Sequence, residues 1–485
     1  MTTTLPTPFP TQQSQQTGHR RRDSCPGAGP LAAGPLAALV GADLQVPLVT
    51  GGTVRYANLD LAASAPALAS VAGRVAEYLP LAASVHRGAG YSSTVATAAY
   101  EHARSTIGAF VGARTGSDDS ADVAVDVVVI TRNTTDALNL LASAVPDVPG
   151  TDRPVVHLDL EHHANLLPWQ ARGARVVTAG VSVEETVRAV DAELRREPAA
   201  LLAVTGASNV TGELLPLAQL AEIAHAHGAR IAVDGAQLLP HRRLDLAASG
   251  VDYVAASGHK LYAPFGAGFL AGRRDWLDAA PPHLAGGGAV RNVTTETATW
   301  TTSPARHEAG TPNVVGALAL AAACETLAAF PERDVIDHEA ELLARLERGL
   351  AELDAVRVLR LWPGLAVDQR IGVLTFTVEG VRPSLVAQYL SAEHGIGVRD
   401  GRFCAHPLLE RLGADGGAVR ASLGLGSSAD DVDRLLAGLR QLLTRGPAWT
   451  YGGPEDQPVP DPRPLPTWLP AAALPAGTGS PCGQH

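Results

Sequence analysis

The chain has 485 residues, of which 46% are hydrophobic and 18% are charged, and its formal net charge is -11 at pH 7. This length accommodates two or more domains with large cores, and the composition is that of an ordinary globular protein. The acidic balance, with no face rich in Lys or Arg, argues against nucleic-acid binding. No apolar stretch reaches the roughly 18 residues of a transmembrane helix. Four scattered cysteines suggest a reducing compartment, so we expect a cytoplasmic protein that does not bind membranes.

The two ends of the chain differ in composition from its middle. Residues 1–45 are rich in Thr, Gln, Pro and Gly, and residues 447–485 are rich in Pro and Gly. Such segments cannot bury enough apolar surface to order themselves. We therefore predict a disordered N-terminal extension over 1–45 and a C-terminal tail over 447–485. Between them we predict a large domain over 46–313, whose first residues are candidates for the smaller domain, and a small domain over 314–446.

Hydrophobic periodicity predicts alternating helices and strands through the large domain. The predicted helices cover 64–79, 94–111, 136–144 and 217–227. The predicted strands cover 123–130, 155–158, 201–204, 231–233, 251–256 and 266–272. This alternation favours an α/β fold with a mostly parallel sheet that helices cover on both faces.

A long loop rich in Gly and Thr is predicted over 286–303, before the small domain begins. The small domain is predicted to contain helices over 314–330, 335–353, 384–394 and 430–443, and strands over 372–378 and 419–423. This mixture indicates an α+β arrangement.

Lys260 is the only lysine in the chain, although Lys and Arg together number 38. An arginine stays protonated, whereas a lysine can lose its proton when its surroundings lower its pKa, and can then form a Schiff base. One predicted strand ends in Asp234 and the next leads to Lys260. Because ligands lie at the carboxyl ends of parallel strands, both side chains are expected in one crevice. An amine for a Schiff base and a carboxylate for a pyridinium nitrogen are what pyridoxal phosphate (PLP) requires.

Thr134 and Thr135 stand between a predicted strand and the start of a helix. Free backbone amides and the positive end of the helix dipole make such a turn an anion site. The commoner use of a threonine there is as a plain N-cap, and the pattern alone leaves both open. The adjacent His162 and His163 lack a third ligand at metal-binding spacing, so we predict no metal.

Residues 55–445 resemble the class V aminotransferase fold of PLP enzymes, in particular the cysteine desulfurase and selenocysteine lyase group. The segments that carry the resemblance stand in family order: Thr134-Thr135, Glu161-His-His-Ala-Asn165, Ser208-Asn-Val-Thr-Gly212, Val233-Asp-Gly-Ala-Gln237, Ser257-Gly-His-Lys260, Glu308-Ala-Gly-Thr-Pro-Asn313, Cys404-Ala-His-Pro407 and Val419-Arg-Ala-Ser422. The resemblance implies the PLP-dependent transferase fold type I, with a seven-stranded sheet in the large domain. It also implies a homodimer.

For the cofactor ring, the resemblance implies four residues. Lys260 would hold PLP as a Schiff base and later act as acid and base at Cα. Asp234 would pair with the pyridine nitrogen, Gln237 would bond to the phenolic oxygen, and His162 would stack on the ring and move protons.

For the phosphate, the resemblance implies contacts from Thr134, Thr135, Ser257 and His259, with Thr311 donated across a dimer interface. Asn209, which would also contact the cofactor, and Arg420 would bind the carboxylate of an amino-acid substrate. A forked guanidinium suits that carboxylate.

Cys404 decides which reaction the resemblance implies. In desulfurases a loop cysteine attacks the sulfur of L-cysteine, which leaves L-alanine and a persulfide for a sulfur-acceptor protein. This chemistry needs an accessible thiolate near positive charge. Arg399 and Arg402 lie five and two residues before Cys404, and Gly397 and Gly401 are expected to let the loop move.

Several residues depart from the usual pattern of this group. Arg402 and Phe403 stand where histidines are usual, Leu61 replaces an asparagine and Asn133 replaces a glycine. They leave open another class V reaction, such as selenocysteine lysis, C–S β-elimination, epimerisation or transamination, in which Cys404 is not the nucleophile. A non-catalytic PLP-binding scaffold is the third hypothesis, and the retained Lys260 argues against it.

Overall fold

The computed structural model of the protein describes residues 34–86, 88–115, 125–451 and 461–469. Most of the predicted N-terminal extension, over 1–33, lies outside the described residues. The same holds for 452–460 and 470–485 of the predicted tail.

The strands are short, as expected for a chain in which apolar runs alternate with turns. In chain order they are β1 Gln45–Pro47, β2 Thr53–Arg55, β3 Ala57–Asn58, β4 Asp126–Thr131, β5 Val155–Leu158, β6 Ala174–Val177, β7 Leu201–Thr205, β8 Arg230–Asp234, β9 Tyr253–Ser257, β10 Gly268–Arg273, β11 Val290–Val293, β12 Ala298–Trp300, β13 Val356–Leu359, β14 Val373–Val378, β15 Ile396–Gly397, β16 Arg399–Gly401 and β17 Ala418–Ser422.

The helices match most of the predicted periodic segments to within a few residues. In chain order they are α1 Ala69–Tyr78, α2 Tyr91–Phe110, α3 Thr134–Ala144, α4 Leu167–Gln170, α5 Val183–Arg196, α6 Leu217–Ala226, α7 Leu246–Ser249, α8 Arg274–Ala279, α9 Val314–Ala329, α10 Glu332–Ala351, α11 Pro383–His394, α12 His406–Arg411 and α13 Ala429–Arg445.

The central sheet has seven strands in the order β4-β10-β9-β8-β7-β5-β6. Pairing is parallel from β9 to β6, and only β10 runs antiparallel to its two neighbours. Every residue of β4, β5, β7 and β9 is buried, which is the pattern of strands covered on both faces. The predicted α/β class with a mostly parallel seven-stranded sheet is confirmed.

Gly272 lets β10 pack closely between its neighbours. Its φ is +152°, and a Cβ there would lie 2.1 Å from the carbonyl oxygen of Asp252 and 2.6 Å from Cδ1 of Tyr253. We expect Gly272→Ala to lower the free energy of unfolding by about 3 kcal/mol, because the backbone must shift to admit a methyl group. Urea denaturation of purified protein measures this difference.

Gly73→Ala is the matched control for that prediction. Gly73 is exposed in α1, and a Cβ there meets nothing within 4 Å. Alanine is the better helix former, so this variant is expected to gain up to about 1 kcal/mol. Equal effects of the two substitutions would contradict the packing argument.

A second sheet, in the order β13-β14-β17-β16, lies in the C-terminal part of the chain and is antiparallel. It shares a hydrophobic cluster with α10, α11 and α13, and Ala57 and Leu59 belong to the same cluster. The first residues after β2 thus pack with the C-terminal sheet. Helix α9, in contrast, packs in the cluster of the central sheet. The division at residue 313 stays a prediction, and the packing favours a boundary after α9.

Two segments predicted to lack structure form regular contacts. The predicted loop over 286–303 contains the hairpin β11–β12. Within the predicted N-terminal extension, the amides of Leu36 and Ala37 donate to the carbonyl of Leu425, and Val40 donates to Ala67. Those residues are ordered by contacts with distant segments, which their own composition does not reveal.

Part of the predicted C-terminal tail also packs on the fold. The Tyr451 hydroxyl donates to Glu393, and Arg463 donates to the backbone and side chain of Ser391. Both partners lie on α11.

Among the described helices, none has by itself the length and apolarity needed to cross a membrane; α9 and α10 pass such a test only as a pair, bent by 87°.

Candidate active site

A cavity of about 500 Å³ opens at the carboxyl ends of the central strands and is closed by residues of the C-terminal part. All but one of the residues that the sequence predicted for the site line it. They are Thr134, Thr135, His162, Asn209, Asp234, Gln237, Ser257, His259, Lys260, Cys404 and Arg420. Five of the strands that lead to them (β4, β5, β7, β8 and β9) point the same way, so residues far apart in sequence meet at one edge.

Lys260 lines this cavity and follows shortly after β9. Burial lowers the pKa of its amine to about 8. The charge of nearby Arg420 also lowers this pKa, whereas the charge of Asp234 raises it. Asp234, at the end of β8, is itself buried, and burial raises the pKa of its carboxyl group. One of its oxygens accepts the amide of Ala236 at 3.0 Å, which fixes the carboxylate in place. The two groups can therefore serve a ligand that needs an amine and an acid together.

The hydroxyl groups of Thr134 and Ser257 meet at the N-terminus of α3. The Ser257 Oγ atom lies 2.7 Å from both the backbone nitrogen and the Oγ1 atom of Thr134. The N-cap of this helix is Asn133, whose side chain accepts the amide of Asp136. The cap is thus supplied by Asn133, and the threonine hydroxyls are left to line the cavity beside the helix N-terminus, as an anion site requires.

His162 follows β5 and faces the cavity as a neutral ring. Its Nδ1 atom accepts the amide of Ala164 at 3.0 Å, so the ring proton is on Nε2. Burial, together with the charges of Lys260, His163 and Arg420, lowers the pKa of His162 to about 3. Such a ring can donate a hydrogen bond from Nε2 while it stays uncharged near neutral pH.

Arg420 on β17 is only 3% exposed, and it reaches the cavity from the second sheet. It donates to the backbone carbonyl of Asn209 at 2.9 Å and to Asp60 at 3.3 Å. Gln237 donates to the carbonyl of Ala62 at 2.8 Å, and Ala62 lines the cavity too, so the segment after β3 forms part of the cavity wall.

Cys404 stands on a turn that is less free than the sequence suggested. Gly401 belongs to β16, which pairs with β17, and the carbonyl of Cys404 accepts the amide of His163 at 2.9 Å. Asn209 donates to the carbonyl of Phe403, also at 2.9 Å. Gly397 and Gly401 both lie in paired strands, β15 and β16, so that these bonds and the strand pairing hold both ends of the turn. That the two glycines let this loop move stays a prediction.

Thr311 is the predicted site residue that does not line this cavity. It is exposed, between Gly310 and Pro312, which line a different cavity together with His86 and Tyr100. The structure therefore does not bring Thr311 together with the other predicted site residues.

Sequence reasoning gave no role to three residues that shape the site. Asp60 forms an ion pair with Arg420, and the Phe403 ring packs against the Arg420 guanidinium. Glu161 is fully buried behind the cavity, where it accepts the amide of Thr205 and the side chain of Asn165, and burial raises its pKa well above the usual value. Glu161 was visible within a motif, but nothing in its neighbours indicated that it would be buried.

These residues fit PLP. The cavity volume lies in the range of cofactor pockets. It offers one amine with a lowered pKa, one buried carboxylate, one neutral histidine, and hydroxyl groups beside a helix N-terminus. Each is a partner for a different part of the cofactor: the aldehyde, the ring nitrogen, the ring face and the phosphate.

The pKa of Lys260 predicts how cofactor loading depends on pH. Only the neutral amine attacks an aldehyde, so the rate at which cofactor-free protein takes up PLP is expected to rise with pH and level off above about 8. Stopped-flow absorbance measures this rate. A rate that stays constant through that pH would contradict a pKa near that value, and Lys260→Arg is the control that should show no covalent uptake.

Comparison with known proteins gives a consistent result. The family described as aminotransferase class-V matches residues 57–435. A probable cysteine desulfurase from Mycobacterium leprae is 36% identical over 406 residues, which cover 81% of this chain and 93% of the relative. A cysteine desulfurase from Dickeya dadantii is 38% identical over 404 residues, with the same coverage of 81% and 93%.

The solved structures to which this chain is similar belong to the same class of enzyme. A cysteine desulfurase from Escherichia coli has a TM-score of 0.69 and 32% identity, and one from Thermococcus onnurineus has a TM-score of 0.72 and 31% identity. Each match covers 80% of this chain and 94% of the other chain. They share the PLP-dependent fold type I. The family match over most of the described residues shows that this chain belongs to the class V aminotransferases.

Proposed function

We propose that the protein is a PLP-dependent cysteine desulfurase that converts L-cysteine to L-alanine and passes the sulfur on through Cys404. The observation that carries this proposal is that Lys260, Arg420 and Cys404 line one cavity although they come from three separate segments. An amine, a carboxylate anchor and a thiol are the three groups that such a reaction needs. The named relatives, which are cysteine desulfurases, support the same activity.

PLP, when bound, supplies a conjugated ring that accepts an electron pair from the substrate Cα. Lys260 would be its attachment point and, once displaced, the group that takes the Cα proton, for which a pKa near 8 is suited. The Asp234 carboxylate would bind the ring nitrogen and stabilise its positive charge. His162 would contact the ring and can donate a hydrogen bond from Nε2. Thr134, Thr135, Ser257 and His259 would hold the phosphate.

Arg420 binds the carboxylate of the amino acid. Burial lowers the pKa of its guanidinium, and Asp60 opposes this shift, so the charge of Arg420 is balanced when no substrate is present. Asn209 holds the guanidinium through its backbone carbonyl and is a further contact for cofactor and substrate. An amino acid anchored at both its amino group and its carboxylate would have its side chain directed along one path, which favours a reaction at Cβ.

Cys404 is the nucleophile in this proposal. Its thiolate attacks the sulfur of the substrate, so that an S–S bond forms as the Cβ–S bond breaks and the electron pair passes to the carbon skeleton. That skeleton takes up protons and leaves as L-alanine. A thiol reductant then converts the persulfide on Cys404 to thiol and sulfide. Lys260 and Arg420 both interact electrostatically with Cys404, and these positive charges favour its thiolate form.

Three further features belong to this proposal. A protein thiol acceptor takes the sulfur, and the enzyme acts in the cytoplasm, where Cys404 stays reduced. The enzyme is a homodimer, in which Thr311 of each copy contacts the phosphate in the other. Sedimentation of wild type and Thr311→Ala with and without PLP tests the dimer: a monomer that binds PLP normally would contradict it.

A single-turnover assay with L-cysteine and dithiothreitol tests the activity. We expect alanine and sulfide in equal amounts from PLP-loaded wild type. Protein that binds PLP but yields neither product from L-cysteine would overturn the desulfurase proposal, and other amino acids would then be tried on the same site.

A further inference from the structure

Phe403 and Cys404 adopt a backbone conformation that side chains rarely take. Their φ angles are +51° and +52°, and among the described residues only His86 and Tyr262 share a positive φ without being glycine. Two consecutive residues of this kind persist only where their surroundings hold them. The position of the Cys404 thiol is therefore set by whatever holds this turn.

The contacts that hold the turn include three hydrogen bonds, two of which come from loops of the central sheet. The carbonyl of Phe403 accepts the side-chain amide of Asn209, and the carbonyl of Cys404 accepts the backbone of His163, each at 2.9 Å. The third bond, from Ala405 to Arg402, closes the turn itself. The turn is thus attached to the loops that follow β7 and β5, which also carry site residues.

The Phe403 side chain connects this turn to Arg420. It is 5% exposed, and its ring centroid lies 5.2 Å from the Arg420 guanidinium carbon, within the range of a cation–π contact. Arg420 in turn donates to the backbone carbonyl of Asn209 at 2.9 Å. Asn209, Phe403 and Arg420 therefore form a closed set of contacts, which we call the Phe403 clamp.

We propose that Phe403 is a positioning residue: through the clamp it sets the separation between the Arg420 guanidinium, which takes the substrate carboxylate, and the Cys404 thiol, which takes the sulfur. This inference rests on the proposed function and adds a determinant of specificity to it. A substrate anchored at Arg420 places its sulfur at a fixed distance, so a fixed thiol reacts only with a side chain as short as that of cysteine.

Two substrates distinguish the effect of the clamp on the carboxylate anchor, Arg420, from its effect on the position of the Cys404 thiol. L-cysteine needs both the carboxylate anchor and the Cys404 thiol, whereas β-chloro-L-alanine needs the anchor only, because chloride leaves with its electron pair without a thiol. With Phe403→Ala we expect KM to rise about three- to tenfold for both substrates, as for the loss of a cation–π contact. We expect kcat to fall about tenfold or more for L-cysteine alone, because the thiol is no longer held in position.

Variants that keep part of the side chain make the test independent of folding. Phe403→Tyr preserves the ring face and is expected to recover most of the loss in both parameters. Phe403→Leu preserves apolar volume without the ring, so it should keep the raised KM while it recovers part of kcat for L-cysteine. A parallel fall of kcat for both substrates, or an unchanged kcat for L-cysteine in Phe403→Ala, would overturn the inference.

The rate of Cys404 alkylation in cofactor-free protein, read by peptide mass spectrometry, gives a measure that does not depend on turnover. We expect iodoacetamide to label Cys404 several-fold faster in Phe403→Ala than in wild type or Phe403→Tyr, and an equal rate would contradict the clamp. Cys324 is fully buried and should stay unlabelled in every variant that is folded.

If wild type acts on β-chloro-L-alanine but releases no sulfide from L-cysteine, the proposed function fails, whereas a failure of the clamp alone leaves sulfide release by wild type intact.

Discussion

Lys260→Ala is expected to abolish turnover and the visible absorbance band of covalently bound PLP. No other lysine exists in the chain to replace it. The substitution removes both the attachment point and the group that moves the Cα proton, and loss of a general acid–base alone reduces rates by about 10²–10⁴-fold. Single-turnover assays of alanine and sulfide, with absorbance spectra of the same samples, measure the two effects.

Lys260→Arg is the matched control for this prediction. It keeps a positive charge beside Asp234 but cannot supply a neutral amine at working pH. We therefore expect the same loss of turnover as in Lys260→Ala. Activity in Lys260→Arg comparable to wild type would mean that the charge of Lys260 matters and its amine does not.

Cys404→Ala is expected to stop sulfide release from L-cysteine while PLP stays bound. The thiol is the only group in the cavity that can accept sulfur from the substrate, among the residues described as lining it. The fall in kcat should reach the detection limit of the sulfide assay. In contrast, elimination of chloride from β-chloro-L-alanine should continue, because this substrate does not need a thiol.

Cys324→Ala is the matched control for Cys404→Ala. Cys324 is fully buried in α9, and burial raises its pKa, so it is neither accessible nor a thiolate at neutral pH. Sulfide release should persist in this variant. If Cys404→Ala kept the activity of wild type on its best amino acid, another class V reaction would replace the desulfurase proposal.

Much of the cofactor site could be predicted because it depends on local sequence. In a parallel sheet, the residue after each strand lies at the same edge, and so strand assignment alone places Asp234 and Lys260 together. The position of Thr134 between a strand and a helix left it open as an anion contact or a plain cap, and Asn209 was named by the family resemblance. The structure brings all four into one cavity. The direction of β10 was not predictable in this way, because a short apolar run does not indicate whether its strand is parallel or antiparallel.

Local sequence patterns do not indicate how the second sheet packs against the site. Arg420 reaches Asp60, which precedes it by 360 residues, and Asn209 reaches Phe403 across 194 residues. Motif matching named Arg420 and Cys404, but it treated Phe403 as a departure from the family and not as a contact. Only the packed structure shows its ring against the guanidinium.

The sequence by itself determined the fold class, the single amine and the order of polar residues at the strand ends, because each of these follows from short-range periodicity and residue chemistry. The tertiary structure decided the pKa of Lys260, the left-handed turn at Cys404 and the distance from that turn to Arg420. These properties depend on which distant groups exclude water and which distant groups hold a strained backbone. Burial and strain arise from contacts between segments far apart in the chain, so no local pattern specifies them.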